Sequence, residues 1–405
     1  MRRSPLTAAV LALFAPWAHA EGDWLVFGHV AAAASANQAP DSWSQGGVGR
    51  YLDDDARLSA HIGINWQPSL EWELMIHARA DTDSDGNAQA LGLVETYVAR
   101  NVFLDHGSSL RVRAGQFFLP SSREAIDPLW QSRYQLSLSA LNSWIAEEYR
   151  PIGVDVAWRN DPESASELEF GLTAFGGNDS SGTLLAWRGF SSHDRLSVLG
   201  EVLPLPALPT LDSGFAGQRD DGSKPFGPDL DGRIGYAARI RVGQRERFRL
   251  LASLNDNRGD RELHRGEYAW ATRFWQFGAE WRWNESWTLA AEHLQGRTGM
   301  GTQTGPHVDI DYRTTYALAS WQFHPEWRAS ARWERFAIDD RDGVQEDNSD
   351  RGHGPTLSVL YSPSEHWRFG LEWQHLNTHH AASSLIGTET ETAGQVVRVE
   401  ARFLF

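Results

Sequence analysis

The last ten residues of the chain alternate between two kinds of side chain. Positions 397, 399, 401, 403 and 405 are Val, Val, Ala, Phe and Phe, whereas Arg398, Glu400 and Arg402 lie between them. This period of two is typical of a β-strand and not of a helix. An apolar, aromatic-ended face opposed by a charged face fits the closing strand of a transmembrane β-barrel, which has lipid on one side and a watery lumen on the other. A half-buried strand of a soluble sandwich is the alternative.

The first twenty residues have the layout of a secretory signal peptide. Arg2 and Arg3 precede a mostly apolar run over 6–17, and Ala18 and Ala20 supply the small residues that a signal peptidase needs. We therefore expect a signal peptide at 1–20 and one outer-membrane β-barrel domain at 21–405. Nothing later approaches the ~20 consecutive apolar residues of a membrane-spanning helix. Because the chain has no cysteine, a lipid-anchored cysteine and a disulfide framework are both excluded.

The composition fits strands that are apolar at every second position. Mean hydropathy is -0.45 although 41% of the residues are hydrophobic. Nineteen tryptophans are many for a soluble core, and Trp favours membrane interfaces, where its ring lies among headgroups. We expect the tryptophans beside short polar turns to form an interfacial girdle, with ordinary core tryptophans as the alternative. They are Trp66, Trp72, Trp158, Trp281, Trp283, Trp287, Trp321, Trp327 and Trp367.

Short polar turns alternate with longer segments and define the topology. Outer-membrane barrels have short periplasmic turns and longer external loops, so seven short turns, eight long segments and both termini inside predict sixteen antiparallel strands. Eighteen is the competing count, because 183–190 and 195–203 could form one more hairpin. We favour sixteen, since the prolines and the Gly/Asp-rich stretch within 177–231 are typical of an elaborated external loop. The predicted strands are 24–34, 56–67, 72–80, 92–102, 109–118, 151–159, 168–176, 232–243, 248–256, 269–283, 287–298, 310–323, 327–338, 355–361, 367–376 and 395–405.

The segment 119–150 is long and amphipathic. A sixteen-strand barrel is wide enough to leave an aqueous channel, and the many apolar side chains of this segment would be costly in open water. We therefore expect the segment to fold into the barrel and narrow the bore, and a lid packed on the outer rim is the alternative. The charged residues of this constriction loop are Arg123, Asp127, Arg133 and Glu147.

Three sequence blocks carry a family resemblance. They read GQFFLPSSRE at 115–124, SALNSWI at 139–145 and RPIGV at 150–154. Together they resemble the phosphate-selective porin family (porin O and P type), whose members are trimeric sixteen-strand channels of the bacterial outer membrane. The resemblance implies a homotrimer and a lumen in which lysine-rich rungs and constriction arginines bind phosphate. In this chain Lys224 is the single lysine, which departs from the lysine-rich rungs of that family.

The alternation also assigns charges to the lumen. If the more apolar face of each strand is outward, fifteen arginines and nine acids face the lumen, although the whole chain carries a net charge of -16. A positive bore indicates mild anion preference, because pore-lining charges set the sign of the permeating ion. The alternative is that Arg and Glu on neighbouring strands neutralise one another. The arginines expected to line the pore are Arg111, Arg113, Arg159, Arg239, Arg241, Arg328 and Arg332, with the first three at its narrowest part.

These features predict an outer-membrane porin for passive diffusion of small hydrophilic solutes, and no enzyme, cofactor or metal centre. The expected partners are outer-membrane lipid and lipopolysaccharide, small anionic or neutral solutes, other copies of the chain in a homotrimer, and the barrel-assembly machinery. That machinery reads a C-terminal aromatic residue, here Phe405. Nucleic acid is not an expected partner.

A barrel hydrolase that acts on lipid or peptide at the outer rim is the alternative function. His379 and His380 lie near Ser383 and Glu391, but residue types alone do not define a catalytic triad. A partial calcium loop at 81–86 has Gly92 where a bidentate Glu is needed, so we read it as a solvated turn.

Overall fold

The computed structural model describes residues 22–38, 42, 46–52, 56–82, 89–302 and 305–405. The predicted signal peptide and most of the partial calcium loop lie outside these residues. No helix in the described ranges is both long and apolar enough to span a membrane.

Sixteen antiparallel strands form a closed barrel in which each strand pairs with its neighbours in sequence and the last pairs with the first. The predicted count of sixteen is confirmed, and the eighteen-strand alternative is wrong, because 183–187 is helical. Several strands extend beyond their predicted bounds at the extracellular end, and the one predicted at 355–361 spans Asp350–Ser364. The strands are β1 Asp23–Gln38, β2 Ala56–Gln67, β3 Trp72–Asp81, β4 Leu91–Phe103, β5 Ser109–Gln116, β6 Ile152–Arg159, β7 Ser166–Gly176, β8 Gly235–Gln244, β9 Phe248–Asp256, β10 Ala271–Arg282, β11 Trp287–Gly301, β12 His307–His324, β13 Trp327–Asp340, β14 Asp350–Ser364, β15 Trp367–His380 and β16 Glu391–Leu404.

The end of the chain closes the barrel as its alternation predicts. Phe405 and Gly28 exchange two backbone hydrogen bonds of 2.9 and 3.1 Å. Closure matters because backbone groups that face lipid have no water to bond and must pair within the wall. Val397, Val399 and Phe403 point outward and are exposed, whereas Arg398 and Arg402 are buried in the interior.

The predicted tryptophan girdle is present at the periplasmic ends of the strands. Its rings stack between neighbouring strands, with centroids 5.3 Å apart for Trp24 and Trp66 and 5.5 Å apart for Trp287 and Trp321. These rings lie on the outer face of the wall and beside the short turns. The girdle therefore marks the periplasmic interface of a transmembrane barrel.

Two segments enter the barrel and fill much of its extracellular half. The first inserted segment (117–150) contains the helix α1, Ala140–Glu148, and is almost wholly buried. The second inserted segment (178–198) contains the short helix α2, Thr183–Trp187, and is buried throughout. A third helix, α3, spans Ala216–Asp221, and a two-stranded hairpin pairs Leu263–His264 with Glu267–Tyr268.

The two segments pack against each other and the inner wall around aromatic side chains, among which Trp144, Trp187 and Trp270 are fully buried. The inward folding of 119–150 agrees with the sequence analysis. The expectation that 177–231 is entirely an external loop is wrong for 178–198, because its apolar residues gain more by packing on α1 than by contacting water.

Candidate functional site

The periplasmic half of the lumen is a vestibule whose arginines lie nearer to water than their acidic partners. The Arg159 side chain is 40% exposed, whereas Glu169, 2.8 Å away, is 2% exposed. The same order holds for Arg282 and Glu280, at 36% and 3%. It also holds for Arg249 with Glu167 and for Arg111 with Glu73. The predicted neutralising pairs therefore exist, but solvent in the vestibule meets guanidinium groups first.

Three of the predicted pore-lining arginines lie together where the first inserted segment leaves the wall. Arg239 bonds Asp155 and Glu169 at 2.5 and 3.0 Å. Arg113 donates to Asp155 and to the Phe118 carbonyl at 3.2 and 3.3 Å. Arg241 donates to the Pro120 carbonyl at 3.1 Å. Arg113 and Arg241 therefore anchor the segment to the wall, and Arg239 joins neighbouring strands of the wall. Arg111 and Arg159 lie lower, in the vestibule.

Of the two remaining predicted pore-lining arginines, one binds the first inserted segment and the other lies near the vestibule. Arg332 is fully buried and bonds Glu124, Gln135 and Glu334 at 2.7, 2.7 and 3.2 Å, so it fixes the first inserted segment to β13. Arg328 lies closer to the vestibule, where it donates to Ser320 Oγ at 2.8 Å.

The charged residues predicted for the constriction loop do not form one cluster. Asp127 and Arg133 pair at 2.7 Å on the vestibule side, and Arg123 lies 3.9 Å from Glu280. Glu147 instead faces the second inserted segment, with Arg188 at 2.7 Å and His193 at 2.8 Å. Burial alone would raise the pKa of Glu147, but these two partners hold it down at about 2.

A second carboxylate, Glu148, ties the two inserted segments together. It accepts hydrogen bonds from the Gly182 and Leu184 backbone N–H groups at 2.9 and 3.0 Å. It also accepts from Trp144 Nε1 and Ser223 Oγ, both at 2.8 Å. Burial raises the pKa of Glu148 to about 7, although these four donors oppose the rise. Sequence reasoning missed this contact between the segments, which we call the latch, because three of its four donors are distant in sequence and two of them are backbone groups.

Two small cavities of the lumen lie beside β1, β2, β15 and β16. A cavity of about 160 Å³ is lined by Arg57 and Arg398 on the wall and by Ser192 and His193 on the second inserted segment. Towards the vestibule, a gap with no room for a water molecule is lined by Asp194, Arg368 and Arg402, among other residues. That Arg111, Arg113 and Arg159 border the narrowest part of the bore stays a prediction.

The arginines around these two cavities are paired to different degrees, and Arg368 lies 4.0 Å from Asp127. Asp194 bonds Arg57 at 2.6 Å and Arg398 at 2.8 Å. Arg368 donates only one described hydrogen bond, from Nη1 to the Ser132 carbonyl at 3.3 Å, and its Nε and Nη2 atoms are buried without a described partner. The alternation of the strands predicts that Arg57 and Arg398 face the lumen. Their partner Asp194 lies on the second inserted segment, whose sequence has no alternating pattern.

The structure also describes residues of the alternative hydrolase site and of the partial calcium loop. His380 Nδ1 lies 3.1 Å from Ser383 Oγ, but His380 Nε2 has no hydrogen-bond partner among the described residues, so no acid completes a triad there. Asp81, at the start of the partial calcium loop, instead bonds Arg57 at 2.9 Å.

An acidic cluster that the sequence did not reveal lies in the external loops. Asp179, Asp229 and Asp231 bring carboxylate oxygens within 4.8 Å of one another. Burial, together with the charges of Asp229 and Asp231, raises the pKa of Asp179 to about 6.

No protein-family model matches the chain, and no curated protein sequence matches it significantly. Its fold is similar to that of solved outer-membrane barrels. The outer membrane channel DcaP of Acinetobacter baumannii gives a TM-score of 0.55 at 10% identity, covering 95% of this chain and 97% of that chain. Salmonella typhi OmpF gives 0.54 at 12% identity, with 95% and 98% covered. An anion-selective porin from Comamonas acidovorans gives 0.53 at 11% identity, with 95% and 100% covered.

At these identities the similarity concerns the fold alone. The chain is a closed sixteen-strand barrel of the outer-membrane, porin-like type, as predicted. Membership of the phosphate-selective family stays a prediction.

Proposed function

We propose that this chain is an outer-membrane porin that passes small hydrophilic solutes by diffusion and mildly prefers anions. The observation that carries the proposal is the vestibule, where the exposed members of the charge pairs are arginines and the acids lie behind them. Arg keeps its charge at any accessible pH and presents a fork of donors suited to chloride, carboxylate or phosphate. A solute entering from the periplasm therefore meets a positive surface.

The passage continues from the vestibule through the gap beside Arg368 and Arg402 into the cavity beside Arg57 and Arg398. The two inserted segments set its width, so opening requires a small displacement of these segments from the wall. The unpartnered donors of Arg368 would receive an anion that enters the opened gap.

Assembly and substrate are the finer parts of the proposal. One structural neighbour, OmpT of Vibrio cholerae, is described in a trimer form, with a TM-score of 0.53 at 10% identity over 95% of this chain and 100% of that chain. We infer a homotrimer here, which cross-linking of the purified protein tests. The family resemblance suggests that the channel binds phosphate. If it does, millimolar phosphate should reduce the chloride current.

The test of function is a reversal-potential measurement on single channels under a KCl gradient. We expect a potential of the sign that marks chloride as the more permeant ion. The combined variant Arg159→Gln, Arg249→Gln and Arg282→Gln should move this potential towards cation preference, more at low salt than at 1 M, where screening limits the reach of charges to ~3 Å.

The matched control removes an arginine from the outer face. Arg100 pairs with Glu71 at 3.1 Å outside the barrel, so Arg100→Gln should leave selectivity unchanged. A channel whose selectivity ignores the triple variant, or a preparation that cleaves a generic ester or peptide and carries no current, overturns the proposal.

A further inference from the structure

The outer surface of the barrel has two unlike arcs near its extracellular end. On β10 to β15, outward positions carry a group of basic residues, which we call the basic band. It consists of Arg273, Arg297, Arg313, Arg335, Arg351, His353 and His379.

The height of this band above the periplasmic girdle follows from strand geometry. Arg313 and Arg335 lie eight residues along their strands from Trp321 and Trp327, and Arg351 lies ten residues from Tyr361. At ~3.4 Å per residue and a strand tilt of ~40°, these separations are heights of roughly 21 to 26 Å. Because the apolar band of an outer-membrane barrel is ~25 Å tall, the guanidinium groups reach the outer headgroup level.

Among the described residues, the opposite arc has no such group at the same height. Eight residues from Trp66 and Trp72, the outward positions on β2 and β3 are Leu58 and Ala80, and β4 presents Leu91 and Leu93. The basic band is therefore a local feature and not a general property of strand ends in this barrel.

The protein satisfies only part of the charge in the basic band. Arg297 pairs with Asp311 at 2.8 Å, Arg313 with Asp339 at 2.5 Å and Arg351 with Glu391 at 3.5 Å. Arg273 and Arg335 are exposed and make no ion pair with any described residue. A surface groove of about 840 Å³ runs along the band, and its lining includes Arg313, Arg335, Arg351, His353 and His379 together with the acids Asp339, Asp347 and Glu391. His379 also lies 2.8 Å from Glu391.

We propose that the basic band binds the phosphate groups of lipopolysaccharide in the outer leaflet. The apolar arc of a second copy would leave these arginines desolvated and unpaired, whereas the phosphates offer both charge and acceptors at the right height. Acyl chains would then contact the apolar surface below, where Trp333 forms one wall of the groove. This site lies on the outer face of the barrel and not in the channel. If it binds lipopolysaccharide, the outer surface of β10–β15 contacts lipid.

Binding to the purified, detergent-solubilised full chain tests the site. The probes are bis-phosphorylated lipid A and the same lipid with both phosphates removed, titrated while native mass spectra report bound lipid and oligomeric state. We expect the phosphorylated probe to bind at least about tenfold more tightly. The variant Arg313→Gln, Arg335→Gln and Arg351→Gln should lose most of this preference.

Two variants keep the test decisive. Arg335→Gln removes an exposed arginine with no ion pair in the described structure, so it should fold normally and still weaken binding several-fold. Arg100→Gln removes an outward arginine near the periplasmic girdle and should bind lipid A like the parent. Equal affinity for the two probes, or unchanged binding by the variants, overturns the proposal. Loss of the oligomer with unchanged lipid binding also overturns it, because the band would then be a contact between subunits.

Discussion

The periplasmic half of the lumen is open to water, whereas the extracellular half is filled by the two inserted segments. In the vestibule, Arg159 and Arg282 are substantially exposed, while above it Trp144 and Trp187 are fully buried. The same wall carries alternating polar residues in both halves, so the difference comes from the loops. We infer that the vestibule determines which ions are preferred and the inserted segments determine how wide the passage is.

The largest expected effect follows from removing the second inserted segment. Replacing 183–198 with an eight-residue Gly/Ser linker removes the packing partner of α1, and we expect single-channel conductance to rise several-fold with little change in ion preference. A linker of the same length replacing 341–348, an external loop, is the control and should leave conductance near the parent value. Unaltered conductance in the 183–198 variant would show that this segment does not limit the passage.

The next effect concerns the latch between the segments. Glu148→Ala leaves four donors without their acceptor, and each unmet buried donor costs ~1 to 3 kcal/mol. We expect more frequent openings at an unchanged maximal conductance, recorded in planar bilayers. Glu285→Ala alters an exposed residue of a short turn and is the matched control. If the two variants open equally often, Glu148 is not a latch.

A smaller effect separates two neighbouring arginines that the sequence could not distinguish. Arg111 faces the vestibule beside Glu73, whereas Arg113 donates to the Phe118 carbonyl of the first inserted segment. Arg111→Gln should shift the reversal potential towards cations without changing conductance. Arg113→Gln should change conductance or its noise, because it releases an anchor. If the two variants change reversal potential and conductance in the same way, the vestibule and the inserted segments do not have separate roles.

The smallest effect is a dependence on pH. Burial raises the pKa of Glu148 to about 7, so its contribution to the closed arrangement is present well below pH 7 and is lost as pH rises through that value. We expect open probability to increase about threefold between pH 6 and 8. Glu148→Gln cannot titrate and should give a flat profile, so a step near pH 7 that persists in this variant must belong to another group.

The wall of the barrel could be predicted from the sequence because its physics is local. Residues that are close in sequence face the same surroundings. Alternation of period two therefore indicates which side of a strand contacts lipid, Trp residues at short turns indicate the membrane interface, and the amphipathic pattern of 119–150 indicates burial in the interior. The second inserted segment has no such period: prolines and glycines follow it, and its helix α2 has only five residues.

The charge contacts around the two cavities beside β1, β2, β15 and β16 could not be predicted for a related reason. Its charges meet across 137 residues between Arg57 and Asp194, and 204 residues between Asp194 and Arg398. Alternation gives the face on which an arginine lies, but only the packed structure gives its partner. The same limit explains why Arg113 and Arg241 were expected to line open water and instead anchor the first inserted segment.

Sided chemical modification in a planar bilayer tests the central division most directly. The chain has no cysteine, so Arg159→Cys places one thiol in the vestibule. We expect an anionic thiol reagent added on the periplasmic side to react rapidly and shift the reversal potential towards cations. From the extracellular side the same reagent should react at least about tenfold more slowly, because the inserted segments lie in its path. Equal rates from the two sides, or modification that leaves the current unchanged, would contradict the division of the lumen into an open charged vestibule and a filled extracellular half.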